Sequence, residues 1–125
     1  MKKIILDTNF LTLPHQFNVD IFEEINRIME EEYELITLSS VIGELKKISE
    51  SRGNDAVAAK IALELVEKKN VKVINTNNKN VDNAIVAIAD KNTIIATNDK
   101  ALKKKIKNKN VKVIYLRGKK HLDMG

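Results

Sequence analysis

The sequence lacks several residue types, and each absence excludes a class of chemistry. Cysteine is absent from the 125 residues, which excludes disulfides, thiolate metal sites and a cysteine nucleophile. The two histidines, His15 and His121, show no metal-ligand spacing, so zinc has no recognisable ligand set. With three Phe, two Tyr and no Trp, the chain also offers no aromatic platform of the kind on which single-stranded nucleic acids stack.

Long hydrophobic runs are missing as well. After the first Met-Lys-Lys, only three apolar residues precede Asp7, whereas the core of a signal peptide needs roughly seven or more. No apolar run approaches the roughly 18 residues of a membrane span. We therefore predict no membrane association. The absence of cysteine fits the reducing cytoplasm, which is the predicted location.

The remaining composition, 43% hydrophobic and 31% charged, is typical of one globular domain. Short apolar runs alternate with helical patterns, which predicts a single α/β domain whose mostly parallel central sheet has about five strands and helices on both faces. The predicted strands cover residues 2–6, 34–38, 71–74, 93–97 and 111–116. The predicted helices cover 19–32, a segment N-capped by Ser39 or Ser40, then 56–69, 81–89 and 98–107.

Charge is distributed unevenly along the chain. Residues 100–125 contain ten of the 22 Lys and Arg residues but a single acid, Asp123. Such asymmetry indicates a polyanion partner, although a solvated lysine-rich helix would look the same. We predict a domain over residues 1–116, followed by a basic C-terminal tail over residues 117–125.

Four acids are expected to meet at one rim of the sheet, because ligands of open α/β sheets bind outside the carboxyl ends of the strands. Asp7 and Asp99 follow predicted strands, Asp82 begins a helix after another, and Glu44 shares a helix face with apolar residues. Each acid alone has an ordinary explanation as a cap, a helix-start acid or an ion-pair partner. Together, four carboxylates repel one another unless a cation binds, and Mg²⁺ or Mn²⁺ suits oxygen ligands.

The same residues carry a resemblance to a known family. The segments IILDTNFL, VIGEL, VDNAIVAIA and IIATNDKAL are similar, in order and spacing, to the four motifs of the PIN-domain nucleases. The resemblance covers nearly the whole chain. It implies a PIN-like domain with metal-dependent cleavage of phosphodiesters, usually in RNA, leaving a 5′-phosphate and a 3′-hydroxyl.

The resemblance also implies roles for particular residues. The catalytic and metal-binding acids would be Asp7, Glu44, Asp82 and Asp99, with Mg²⁺ or Mn²⁺ as cofactor. The supporting polar positions of the family match Asn9 and Thr97. We add an RNA-binding set from the basic segment, consisting of Lys103, Lys104, Lys105, Lys107, Arg117, Lys119 and Lys120.

Several biological roles stay open at this point. The short length, the basic last helix and the ending VIYLRGKKHLDMG resemble the free-standing archaeal relatives of the PIN nuclease of small-subunit ribosomal RNA processing. That predicts ribosomal RNA as the partner, with a homodimer as one assembly because small PIN domains often pair. One alternative is a ribosome-associated RNA-binding module with little activity. Another is the toxin ribonuclease of a toxin–antitoxin pair, whose partner would be an antitoxin.

Two other α/β classes are disfavoured by single residues. Phosphatases of the haloacid-dehalogenase type need a second acid two residues after the first, and that position is Asn9. A receiver domain would share the sheet but would explain neither Glu44 nor the basic end of the chain.

Overall fold

A six-stranded sheet forms the centre of the computed structural model, which describes residues 1–78 and 80–125. Its strand order is β3-β2-β1-β4-β5-β6, and every neighbouring pair is parallel except the antiparallel pair β5–β6. The strands of the described residues are β1 (Lys2–Leu6), β2 (Tyr33–Leu38), β3 (Lys72–Ile74), β4 (Thr93–Ala96), β5 (Lys112–Arg117) and β6 (His121–Met124). The prediction of a mostly parallel sheet is confirmed, with one strand more than expected.

Helices cover both faces of this sheet, as predicted. The helices of the described residues are α1 (Thr8–Leu11), α2 (Leu13–Phe17), α3 (Ile21–Ile28), α4 (Ser39–Ser49), α5 (Asn54–Lys68), α6 (Val81–Ile88) and α7 (Lys100–Ile106), followed by a 3₁₀ turn over Lys107–Lys109. The chain moves from β1 to β3 in one direction and from β4 to β5 in the other, so right-handed crossovers place α1–α5 and α6–α7 on opposite faces. Accordingly, α5 packs on α4 and α2, whereas α6 packs on α7.

The two central strands of the sheet, β1 and β4, are its most buried part. Ile4, Ile5 and Leu6 of β1 and all four residues of β4 are buried, as expected for strands covered on both faces. Parallel pairing aligns Leu6 with Ala96. The residues that follow these two strands therefore emerge side by side at the same edge.

Helix α3 is shorter than the predicted span 19–32. It begins after Asp20, whose carboxylate accepts hydrogen bonds from the backbone N–H groups of Phe22 and Glu23. Its apolar face, which includes Ile21 and Ile25, is buried. The helix ends where Met29 adopts an extended backbone, because the chain must turn there to enter β2.

The predicted N-cap of α4 is wrong. Leu38 occupies the N-cap position without a capping side chain. The Ser39 hydroxyl instead accepts a hydrogen bond from the Thr76 N–H at 3.0 Å, and the Ser40 hydroxyl is buried without a partner among the described residues. Ser39 thus joins the start of α4 to the segment that follows β3, a long-range contact that local capping rules cannot predict.

The C-terminal segment differs from the predicted tail. A turn over residues 118–120, with left-handed backbone at Gly118 and Lys119, reverses the chain. His121–Met124 then pairs antiparallel with β5, and Leu122 is buried. A single buried leucine beside polar and charged residues is a weak strand signal, which explains why this strand was not predicted. No helix among the described residues combines the length and the apolar character that crossing a bilayer requires.

Candidate active site

The candidate site lies where the direction of the sheet connections reverses. Strands β1 and β4 are neighbours, yet the chain leaves β1 towards β2 and leaves β4 towards β5. In open α/β sheets such a switch point forms a crevice at the carboxyl ends of the strands. Asp7 follows β1 directly, and Thr97 and Asp99 follow β4. The prediction that Asp7 and Asp99 share one rim agrees with this placement.

Hydrogen bonds to its backbone N–H and to both of its carboxylate oxygens hold Asp7 in place. Its backbone N–H donates to the carbonyl of Ala96 at 3.2 Å, which fixes it against the end of β4. Its Oδ1 accepts from the Phe10 N–H at 2.7 Å, so Asp7 is also the N-cap of α1. Its Oδ2 accepts from the Thr97 hydroxyl. Only 4% of Asp7 is exposed, so its carboxylate has little freedom to turn away from this position.

The pKa of Asp7 is raised from its ordinary value to about 6. Burial is the largest cause, because it disfavours the charged form. The hydrogen bonds from Thr97 and Phe10 work in the opposite direction, and the negative charges of Asp99 and Asp82 raise the pKa further. A cation beside Asp7 would relieve this electrostatic cost.

Thr97 connects the two acids at the switch point. Its hydroxyl donates to Asp7 and accepts from the Asp99 N–H at 3.0 Å. Asp99 in turn caps α7, because its Oδ1 accepts from the N–H of Ala101 at 2.9 Å and of Leu102 at 3.4 Å. One buried hydroxyl therefore sets the position of one carboxylate and the start of the helix that carries the other.

An open cleft of about 220 Å³ lies between these elements. All four predicted acids line it, and so does the predicted supporting residue Asn9. The lining residues are Asp7, Thr8, Asn9, Glu44, Asn80, Val81, Asp82 and Asp99. Thr97, the other predicted supporting residue, lies behind Asp7 rather than in the lining. The structure thus brings together the acids from four separate segments of the chain.

Glu44 reaches the cleft from a different face of its helix than predicted. The buried side of α4 carries Val41 and Leu45, and Glu44 is exposed. The expectation of an acid on the inward face was wrong, because Glu44 lies beside the apolar stripe rather than within it. It borders the cleft from the solvent side.

The donor set fits an oxygen-preferring divalent cation, since carboxylates dominate the charged groups of the lining. Among residues 1–78 and 80–125, however, no three His, Asp or Glu side chains are grouped closely enough to hold a metal ion. Mg²⁺ commonly binds through one or two carboxylates, keeping several waters and taking further oxygens from substrate phosphates. The wide spacing of these acids suits that mode better than a closed protein cage.

The predicted RNA-binding residues differ in their surroundings. Lys105 lies 4.0 Å from the Asp82 carboxylate, and Arg117 forms an ion pair with Asp123 at 3.0 Å. The ammonium of Lys103 lies 4.6 Å from the centre of the Tyr115 ring. The remaining members of the set are exposed: Lys104, Lys107, Lys119 and Lys120.

Sequence reasoning missed three residues of the lining, namely Thr8, Asn80 and Val81. Asn80 caps α6 through a 2.9 Å hydrogen bond from the Asn83 N–H. An asparagine immediately before a helical pattern is a recognised capping signal, so it could have been found. Thr8 is buried and its hydroxyl has no partner among the described residues, which only the packing reveals.

The structure is an α/β domain with an acid-lined cleft at the switch point of its sheet, and the comparison with known proteins gives its family. The chain belongs to the PIN like domain family, whose sequence profile matches residues 4–119.

Among its relatives is ribonuclease VapC4 of Methanocaldococcus jannaschii, 34% identical over 99% of this chain and 97% of the relative. Ribonuclease VapC9 of Archaeoglobus fulgidus is also 34% identical, over 94% of this chain and 85% of the relative.

A solved structure of the PIN domain endonuclease Utp24 shares the fold. It has a TM-score of 0.78 and 22% identity, and the likeness covers 98% of this chain and 90% of that one. At this identity the likeness supports the architecture alone.

Proposed function

We propose that the protein is a metal-dependent endoribonuclease whose active site is the acid-lined cleft. The observation that carries the proposal is the gathering of Asp7, Glu44, Asp82 and Asp99 around one opening at the switch point. The raised pKa of the buried Asp7 carboxyl accompanies this arrangement. Perturbed carboxyls in a cleft are candidates for a functional role, and the relatives named ribonucleases supply the substrate class.

We assign the metal-binding role first to Asp7 and Asp99, with Asp82 and Glu44 at the border of the cleft. When bound, Mg²⁺ or Mn²⁺ would supply Lewis-acid stabilisation of charge on the phosphoryl group and would acidify a water molecule. Thr97 orients the Asp7 carboxylate through its hydroxyl. Asn9 is exposed at the cleft, where its side-chain amide can donate to a phosphate oxygen.

We propose that the exposed lysines hold the RNA backbone near the cleft. Lys104 and Lys107 belong to α7 and its extension, and Lys119 and Lys120 belong to the β5–β6 turn. Contacts between lysine and phosphate give affinity and salt dependence but little sequence preference. The choice of RNA would then depend on other surfaces or on a partner.

The relatives favour a VapC-like role over ribosomal RNA processing. Both matched curated relatives are ribonucleases of the VapC group, and the match to VapC4 spans nearly the full length of both chains. The likeness to Utp24 is a likeness of fold. We therefore propose a toxin ribonuclease of the cytoplasm, restrained by an antitoxin. A role in ribosomal RNA processing and a homodimer both stay predictions.

Cleavage of an end-labelled structured RNA tests the activity. Purified protein is incubated with Mn²⁺, Mg²⁺ or EDTA, and Asp7→Asn serves as the matched variant. Cleavage with either metal that EDTA and Asp7→Asn both abolish is the expected result. Cleavage in EDTA at the same rate, or full activity of the variant, would contradict the assignment of the site.

Controlled expression in a bacterial or archaeal host tests the biological role. A toxin should arrest growth in its wild-type form but not as Asp7→Asn, and a small protein encoded beside its gene should restore growth. Wild-type expression that leaves growth unaffected while ribosomal RNA precursors are cut would favour the processing role instead.

A further inference from the structure

Three consecutive lysines of α7 face three different environments. Successive residues of an α-helix point about 100° apart around the axis. Lys103 accordingly lies over the Tyr115 ring, Lys105 approaches Asp82, and Lys104 is exposed to solvent. The lysine cluster that looks uniform in sequence is therefore divided by the helix into separate sites.

Lys105 is the lysine that reaches the acid cleft. Its ammonium nitrogen lies 4.0 Å from Oδ2 of Asp82, and Asp82 lines the cleft. Helices α6 and α7 pack together, so this contact bridges two packed elements. Within the described part of the chain, it is the one ion pair that involves a cleft acid.

The contact is exchangeable because both partners are partly hydrated. The side chains of Lys105 and Asp82 are 47% and 27% exposed, and ion pairs of this kind contribute little to stability. A lysine carries a compact charge on a flexible four-carbon stem. Its ammonium can therefore leave Asp82 without disturbing the helix that carries it.

We propose that Lys105 is a substrate-binding residue of the cleft that alternates between two partners. In the free protein it neutralises Asp82, and it transfers to a phosphate oxygen of the RNA when a divalent cation takes up the Asp82 carboxylate. The inference depends on the proposed metal-dependent nuclease function. Without RNA, Lys105 competes with the metal for Asp82. With RNA bound, Lys105 binds a phosphate oxygen and promotes cleavage.

Mn²⁺ binding in the absence of RNA tests the first half of the proposal. Calorimetry compares the wild type with Lys105→Gln and with Lys104→Gln, which removes the same charge one residue away. Lys105→Gln should tighten Mn²⁺ binding by roughly two- to fivefold, the size of a partly exposed charge pair. Lys104→Gln should change it much less, and Lys105→Arg should restore the wild-type affinity.

Steady-state cleavage tests the second half. Lys105→Gln should lower kcat despite its tighter metal binding, because the charge near the reacting phosphate is lost. Lys104→Gln should act mainly through KM, as expected for a residue that holds RNA outside the cleft.

The outcomes separate this proposal from the one on which it rests. If the wild type binds Mn²⁺ but both glutamine variants respond equally, the effect is one of general charge, and the assignment of Lys105 is overturned. If the wild type binds no Mn²⁺ at all, the metal-dependent function and the role of Lys105 are overturned together.

Discussion

Two groups of acids in this molecule have opposite surroundings. The cleft acids Asp7, Glu44, Asp82 and Asp99 line one opening. The acids of a second region, the α3–β6 seam, face cations. The seam consists of Glu24 and Arg27 on α3 with Arg117, His121 and Asp123 of the β5–β6 hairpin. In the cleft the pKa of Asp7 is raised to about 6, whereas in the seam the pKa of Glu24 is lowered to about 2.

The seam is a structural device. The guanidinium of Arg27 donates two hydrogen bonds to the Glu24 carboxylate, at 2.9 and 3.1 Å, so the two side chains form an ion pair. Glu24 also accepts from the Leu122 N–H, and Arg27 donates to the Leu122 carbonyl, both at 3.0 Å. These two side chains therefore form hydrogen bonds with the backbone N–H and carbonyl of Leu122 in the edge strand β6. Covering an edge in this way protects it against pairing with another chain.

The comparison teaches how a structural acid can be told from a functional one. Glu24 has a guanidinium and a backbone N–H as partners, so its charge is compensated within the chain. Asp7 has hydrogen-bond donors but no cation beside it, and two nearby carboxylates oppose its ionisation. Repulsion between carboxylates without a cation lowers stability, and such an arrangement is typical of a binding site.

The largest difference between the regions should appear in activity. Asp7→Asn or Asp99→Asn should reduce metal-dependent RNA cleavage by roughly a thousandfold, because the stabilisation that a bound metal supplies amounts to several kcal/mol. Glu24→Gln should leave the cleavage rate within about twofold, since the seam lies apart from the cleft. Initial rates at saturating Mn²⁺ give the comparison. Comparable losses in Glu24→Gln would contradict the division of roles.

Asp7 and Glu24 should change the stability of the fold with pH in opposite directions. The raised pKa of Asp7 means that the folded state holds its proton more tightly than the unfolded chain. Its contribution to the free energy of unfolding therefore falls as the pH rises from about 4 to about 6. The lowered pKa of Glu24 means that its stabilisation is present above about pH 4.5 and is lost as the pH falls towards 2.

Urea unfolding at several pH values in EDTA measures both effects. Subtracting the curve of Asp7→Asn should isolate a contribution that decreases with pH, and subtracting that of Glu24→Gln should isolate one that increases. Two contributions of the same sign would show that the surroundings of these acids are wrongly described.

Stability at neutral pH should depend on the seam. Glu24→Gln should lower the free energy of unfolding by about 1–2 kcal/mol, the usual value of hydrogen bonds to charged groups. Arg27→Ala should change it in the same direction. Glu23→Gln is the matched control, because Glu23 is an exposed neighbour on the same helix. Asp7→Asn should not destabilise the fold and should raise the melting temperature, since it removes a buried charge. Equal losses for Glu23→Gln and Glu24→Gln would assign the effect to general charge.

A smaller effect is expected at Thr97. The hydrogen bond from its hydroxyl lowers the pKa of Asp7, so Thr97→Val should raise that pKa further. The acidic limb of the pH–rate profile should then move to higher pH by up to about one unit. Thr97→Ser keeps the hydroxyl and should retain the wild-type profile. An unchanged profile in Thr97→Val would mean that Asp7 does not control the acidic limb.

Much of the architecture was readable from the sequence because its signals are local. The five predicted strands and the longer helices follow from apolar periodicity, and Asp7 and Asp99 were located by the ends of their strands. Helices α1 and α2 span four and five residues, which is too short for a periodic pattern to identify. Strand β6 was missed because it has one buried leucine, Leu122.

The parts of the site that were not predicted depend on contacts between distant segments. Lys105 and Asp82 are 23 positions apart in sequence and Glu24 and Leu122 are 98 apart, and no local pattern reveals either pair. The exposure of Glu44 follows from how α4 is rotated against its neighbours. The sequence thus predicted four acids that line one cleft, whereas the structure is needed to say which charges compensate them.

The position of a bound metal tests the central claim most directly. Crystals of the wild-type protein grown with Mn²⁺ would locate the ion by its anomalous scattering. A peak in the cleft, next to the carboxylates of Asp7 and Asp99, is the expected result, and it should disappear in Asp7→Asn. A Mn²⁺ peak at another place, in protein that cleaves RNA with Mn²⁺, would contradict the claim that these acids form the active site.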